Sequence, residues 1–283
     1  MELVPSKNAR ERILGMGGPG SGKTHSWFQI AKNTPEHVKF YVLDTDQTVE
    51  RFLDSDEFSH LQDRIEYVEP ASWPEYVETL QEWVKNDMNP EDWLVVDMIS
   101  QAWDEVQEYF TEEIFGSDIG SYFMRVRKDM EEKGKKTLGS GFDGWKDWTV
   151  INKLYRVFAN TIKRAPGHVY LATPADKIDF DNEQAENLKL YGHVGYKPRG
   201  QKHTGHAAQT ILMFHRTNSG DFKITTVKDR QREDMKGESN RNFAIKYLKG
   251  YAGWEKLGKK NSDEGTEETE EDAGDVDDAD ITD

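Results

Sequence analysis

Short apolar runs alternate with amphipathic stretches along most of this chain, and the alternation predicts strands each followed by a helix. Residues 12–16 form a short strand that runs into a glycine-rich loop, and a helix follows over 23–33. The run 37–43 (HVKFYVL) is dense in β-branched and aromatic residues, as a buried strand is. Ile65–Val68 is a shorter strand. Ser72 and Glu75 have capping-box spacing, and Tyr76, Val77, Leu80, Trp83 and Val84 fall at helical intervals behind them. Trp93–Asp97 (WLVVD) is a further buried strand, and Ala102, Val106, Tyr109, Phe110 and Ile114 mark the next helix. Another helix, through Trp148, Ile151, Leu154, Phe158 and Ile162, leads to a strand over 168–173 (HVYLAT). Two strands, 210–215 and 222–227, are joined through Asn-Ser-Gly and read as a hairpin. A weak helical pattern over 243–248 ends the regular part.

Strands alternating with helices imply parallel crossovers, so the expected fold is α/β, a mostly parallel sheet flanked by helices and closed by a C-terminal antiparallel hairpin. Two polar, glycine-punctuated stretches, 116–144 and 174–205, read as loops. Loops of about 30 residues are more often functional or disordered than idle.

Composition narrows the setting. The 283 residues are 35% hydrophobic and 32% charged, and no run approaches the roughly 18 apolar residues a membrane helix needs. The first residues, MELVPSKNARER, carry no apolar core of a secretion signal, so a cytoplasmic protein without membrane association is expected. The absence of cysteine excludes disulfides, zinc-thiolate sites and cysteine nucleophiles. A net charge of −16 argues against nucleic acid, but residues 261–283 hold twelve acids and no base, which leaves the rest at −4. The expected organisation is one domain over 1–260 and a disordered acidic tail over 261–283.

The strongest chemical signal is GGPGSGKT over 17–24, the Walker A pattern between a strand and a helix. Gly17, Gly18, Pro19, Gly20, Ser21, Gly22, Lys23, Thr24 and His25 would surround the phosphates of ATP, with backbone N–H groups turned inward. Lys23 would reach the β/γ oxygens, and the Thr24 hydroxyl would ligate Mg2+. A glycine-rich turn without a ligand is the alternative, and the flanking strand and helix argue against it. Asp97, closing WLVVD, is the natural second acid for the metal. Asp44 and Asp46 end the preceding strand, where ligands of open α/β sheets sit. Asp46 is the better candidate to activate water; capping of the helix near Gln47 is the other use open to both acids.

The order of GGPGSGKT, FYVLDTD, WLVVDMIS, HVYLAT and a strand pair ending in VKDR resembles the RecA-type recombinase core. More closely, it looks like the short phage-encoded RecA-like ATPases associated with single-strand annealing, the phage nucleotide-binding proteins. That resemblance, over about 10–243, implies an ATP- and magnesium-dependent ATPase that assists annealing or recombination on single-stranded DNA. Asp46 falls where the family places its catalytic glutamate, and is one methylene shorter. Thr173 ends the strand where a polar side chain senses the γ-phosphate, in place of the family's amide. Lys228 and Arg230 fall where the family supplies a pair of bases to a neighbouring subunit's nucleotide. Such a pair implies self-assembly into an oligomer or filament, although only about ten residues precede the first strand, where recombinases carry their polymerising segment.

The two long polar stretches stand where RecA-type proteins carry DNA-binding loops. The first holds Arg125, Arg127, Lys128, Lys133, Lys135 and Lys136 near Tyr122 and Phe123; the second holds Lys197, Arg199 and Lys202 near Tyr191 and Tyr196. Cations that follow a backbone and rings that stack on bases suit single strands. Interspersed acids such as Asp129, Glu131 and Glu132 leave open that these are ordinary solvated loops. The acidic tail would compete with DNA for them, recruit a partner such as a single-strand-binding protein, or simply solubilise. Two rival functions stand beside this reading: a P-loop kinase with a small acceptor, and a nucleotide-switched binding module with little hydrolysis.

Overall fold

The computed structural model describes residues 10–132, 146–202, 204–217, 220–230 and 239–240. Its strands are β1 (Arg12–Gly17), β2 (Phe40–Asp44), β3 (Ile65–Val68), β4 (Trp93–Asp97), β5 (His168–Lys177), β6 (Tyr196–Pro198), β7 (Thr210–Arg216), β8 (Phe222–Asp229) and β9 (Ser239–Asn240). The helices are α1 (Lys23–Lys32), α2 (Val49–Leu53), α3 (Trp73–Glu82), α4 (Ile99–Phe115), α5 (Ile119–Glu132), α6 (Lys146–Arg164), α7 (Ala185–Tyr191) and α8 (Thr204–Ala207). The main sheet runs β3-β2-β4-β5-β1-β7-β8-β9, and β6 pairs with β5. From β3 to β7 every neighbour is parallel; β7, β8 and β9 turn antiparallel. The expected sheet and hairpin are therefore found.

Alternation along the strands builds two cores. Leu14 and Met16 of β1 join Leu94, Val96, Val169 and Leu171 on one face, under α3, α4 and α6. Ile13 of β1 joins Phe40, Val42, Trp93, Val95 and Tyr170 on the other, under α1 with its Trp27, Phe28, Ile30 and Ala31. A strand covered on both faces can carry no polar position in its middle, which is why β4 reads as an unbroken apolar run.

Several expected boundaries move. The strand expected from His37 begins at Phe40. In the capping box, Glu75 reaches back to the N–H of Ala71 (2.8 Å) and Ser72 makes no side-chain cap. The stretch 116–144 is not a loop throughout, because α5 occupies Ile119–Glu132. Asp118 accepts the Ser121 N–H (2.8 Å) at its start, and Tyr122 is its one buried residue. The stretch 174–205 likewise holds the end of β5 with α7, β6 and the start of α8. The helix expected over 243–248, the tail over 261–283, and Lys133, Lys135 and Lys136 lie outside the described residues.

Candidate functional site

The loop between β1 and α1 is shaped by close approach and by backbone handedness. A Cβ on Gly17 would stand 2.4 Å from the Phe214 carbonyl oxygen and 2.5 Å from Ser21 Oγ, so no larger residue fits there. Gly22 has φ 94, a left-handed conformation that L side chains rarely adopt, and it brings the chain round into α1. Lys23 is buried and its ammonium donates to the carbonyls of Gly17 (3.1 Å) and Gly18 (3.0 Å), curled back along the loop. Burial lowers its pKa, and the nearby charges of Asp97 and Asp46 act in the opposite direction. Tyr170 passes its hydroxyl to the Lys23 carbonyl (3.0 Å), tying β5 to the first turn of α1.

Asp97 meets this loop from β4. It is fully buried, and its Oδ2 accepts from Trp27 Nε1 (3.0 Å). The Thr24 hydroxyl also donates to the carboxylate. Desolvation raises the Asp97 pKa to about 6, against those two hydrogen bonds and with a further push from Asp46 and Asp44. Its Oδ1 is buried without a hydrogen-bond partner among the described residues. A carboxylate oxygen left bare beside a hydroxyl suits a hydrated cation, and this pair fits Mg2+ held by Thr24 directly and by Asp97 through water. No group of three or more His, Cys, Asp or Glu is arranged to hold a metal among the described residues.

The two acids at the end of β2 divide their work. Asp44 Oδ2 accepts the N–H groups of Thr48 (2.9 Å) and Val49 (2.8 Å), so Asp44 caps α2. Asp46 is exposed and accepts from Gln101 Nε2 (2.8 Å) in the first turn of α4. It lies close enough to Lys23 and Asp97 to influence the charge of both. Gln101 and Trp27 are site residues that sequence reasoning missed, since each finds its carboxylate more than fifty positions away.

The remaining candidates are placed less directly. Thr173 is buried beside Met16, and its hydroxyl donates to the Arg199 carbonyl (2.8 Å). Lys228 pairs with Ile211, and Asp229 with Thr210, which is level with Ile13; Gly17 is level with Phe214. Lys228 and Arg230 therefore lie at the edge of the sheet opposite the chain's own phosphate loop. Lys228 donates to the carbonyls of Ala208 (2.7 Å) and Gly205 (3.3 Å), and burial, with Arg230 nearby, lowers its pKa to about 8. Arg125, Arg127 and Lys128 are exposed on α5, and Lys202 is exposed after β6. Lys197 is ion-paired with Glu183, and Arg199 with Asp176 (2.8 Å). His25 lies 5.5 Å from the Phe58 ring, edge-on, just beyond the loop.

A cleft of about 650 Å³ adjoins the loop on the hairpin side, lined by Gly18, Pro19, His193, Tyr196, His215 and Arg216 among others. No helix among the described residues is long and apolar enough to cross a membrane.

A glycine loop that leads into a helix, with its threonine hydrogen-bonded to a buried acid two strands away, defines a P-loop nucleoside triphosphate-binding domain. A family model described as an AAA domain matches residues 9–212, and the chain belongs to that family. No curated protein matches it.

Proposed function

We propose that this protein is an ATP- and magnesium-dependent ATPase of RecA-like organisation that binds single-stranded DNA and assists annealing or recombination, as phage-encoded annealing ATPases do. One observation carries the ATPase part: Thr24 is hydrogen-bonded to the buried Asp97, and Lys23, Asp97 and Asp46 lie near enough to influence one another's charge. Lys23 would neutralise the β/γ oxygens, Thr24 and Asp97 would hold the metal, and Asp46 would accept the proton of the attacking water. Bound Mg2+ would supply charge neutralisation on the phosphates.

The DNA part draws support from Arg125, Arg127 and Lys128 on an exposed helix face beside Phe123 and Met124. The engagement of Lys197 and Arg199 with acids moves the weight of the reading to α5 and Lys202. Thr173 would report the nucleotide state to the 196–202 segment through the Arg199 carbonyl. Lys228 and Arg230, remote from the chain's own loop, would serve a neighbour's nucleotide, which requires assembly. The deciding measurement is ATP turnover by the wild type and Asp46→Asn, each with and without single-stranded DNA. Turnover that rises with DNA and is lost in the variant is expected; no turnover and no response to DNA would sink the reading.

The cleft beside Gly18 and Pro19 favours a second reading, phosphoryl transfer to a small acceptor. ADP release that stays negligible until an acceptor is added would select it over hydrolysis.

A further inference from the structure

We propose that Gln101 is a water-positioning residue of the hydrolytic centre, and that it supplies the reach which Asp46 lacks. The inference rests on the ATPase reading above.

Asp46 and Gln101 sit on adjacent parts of one edge. Asp46 follows β2, Gln101 follows β4, and the two strands are neighbours with Asp44 level with Asp97. Thr45 stitches their ends together: its N–H donates to the Asp97 carbonyl (2.6 Å), and its hydroxyl accepts the Met98 N–H (2.5 Å). The relative position of Asp46 and Gln101 is thus fixed by backbone contacts, not by the pair itself. Gln47, immediately after Asp46, is the one non-glycine residue with positive φ (53) among the described residues. Side chains seldom adopt that conformation, and it recurs where a chain is held to aim a functional group.

The chemistry of the pair then dictates its polarity. An ionised carboxylate accepts only, so the Gln101 amide must face Asp46 with its N–H, as the 2.8 Å contact has it. Its carbonyl oxygen is thereby turned away from Asp46, and no donor among the described residues reaches it. A glutamine whose amide is locked in this way offers one acceptor at a set place, about an amide's length beyond the carboxylate. Asp46 is exposed and Gln101 only partly covered, so packing does not account for a glutamine there.

In the step proposed, the water oxygen bonds to the γ-phosphorus as the bond from that phosphorus to the β–γ bridging oxygen breaks. ADP leaves with the electron pair of that bond. Gln101 Oε1 accepts one water hydrogen and orients the oxygen; Asp46 accepts the other proton, which passes on to the phosphate released.

The test uses the full chain and four proteins: wild type, Gln101→Ala, Asp46→Glu, and the double variant. Turnover, affinity for a fluorescent ATP analogue, and affinity for ADP–aluminium fluoride are measured on each. Gln101→Ala is expected to lose about tenfold or more in turnover, in the range of an orienting group. Its ATP affinity should stay within about twofold, and ADP–aluminium fluoride binding should fall with turnover. Asp46→Glu should restore turnover in the Gln101→Ala protein, because the longer acid reaches the water unaided, and should add much less to the wild type. A Gln101→Ala protein that turns over normally, or that loses ATP affinity and turnover equally, overturns the role of Gln101 alone. A wild type that never hydrolyses ATP overturns the ATPase reading, and this inference with it.

Discussion

The two ends of strand β4 each bury an aspartate, and the two are treated in opposite ways. At the amino end, Asp92 gives one oxygen to the N–H of Lys39 (2.8 Å) and the other to the N–H of Asn89 (2.7 Å). At the carboxyl end, Asp97 is equally buried, yet one oxygen has a partner and the other has none among the described residues. Neighbouring groups at the two ends differ in a related way. At the amino edge Arg12 donates to the carbonyls of Ala165 and Gly167, and His168 accepts the Glu11 N–H (3.0 Å). At the carboxyl edge Lys23 rests on loop carbonyls it would leave for phosphate, and Ser21, Asp44 and Asp97 each keep a bare oxygen. A buried polar group is stabilising only when satisfied, and beside the phosphate loop the bare oxygens of Ser21 and Asp97 lie where a nucleotide and its metal would add partners.

The comparison is broken most sharply at Lys23. Lys23→Ala removes the ammonium proposed to meet phosphate, and hydrogen bonds to charged groups are worth more than neutral ones. ATP affinity should fall on the order of a hundredfold or more, with the protein still folded. Titration with a fluorescent ATP analogue beside a thermal melt checks both halves. Retained binding would remove the phosphate role of the loop.

The two aspartates themselves provide the next test. Asp92→Ala removes a buried carboxylate that holds two backbone N–H groups and should destabilise the fold by about 2–3 kcal/mol. Asp97→Ala should cost far less, since the carboxylate it deletes is desolvated and half unpaired, but it should abolish the effect of Mg2+ on nucleotide affinity. Urea denaturation and nucleotide titration with and without Mg2+ separate the two. Equal losses of stability would erase the distinction between a structural and a functional acid.

Much of this edge was legible in the chain. Burial on both faces turns β4 into WLVVD, and the Walker A spacing is local, so the loop, Asp97 and the order of strands could be read directly. Pairings that depend on distant register could not. Trp27 and Asp97 are 70 positions apart, Gln101 and Asp46 are 55 apart, and only the neighbouring of β2, β4 and α1 brings them together. The division between Asp44 as cap and Asp46 as exposed acid was narrowed to two uses but not resolved, because it turns on a backbone twist at Gln47. The helix α5 was hidden by Gly116, Gly120 and a crowd of charges, although Ile119, Tyr122, Val126 and Met130 mark an inward face behind the Asp118 cap.

A pH titration sharpens the amino edge. Burial, with Arg12 and Arg10 nearby, lowers the His168 pKa to about 4 from its ordinary 6.5. Between those values the unfolded chain binds the proton and the folded one does not. Stability contributed by neutral His168 is therefore present above pH 6.5 and is lost as the pH falls toward 4. The loss should be on the order of 2 kcal/mol by pH 5. In His168→Gln, whose amide oxygen can accept the Glu11 N–H without titrating, urea midpoints should vary less over this window. An unchanged slope would assign the acid sensitivity to other groups.

The smallest expected effect lies at the second contact of Asp97. Trp27 stacks on Phe28, with ring centroids 3.9 Å apart, and donates its indole N–H to Asp97 Oδ2. Trp27→Phe keeps an aromatic ring in the core and deletes that donor, so the fold should lose about 1 kcal/mol. The carboxylate, left with Thr24 as its remaining donor, would be held less firmly for the metal. The Mg2+ concentration that half-saturates ATP binding should rise a fewfold, about what one hydrogen bond is worth. An unchanged Mg2+ requirement, with the same small loss of stability, would make the indole a packing residue and leave Thr24 alone to orient the acid.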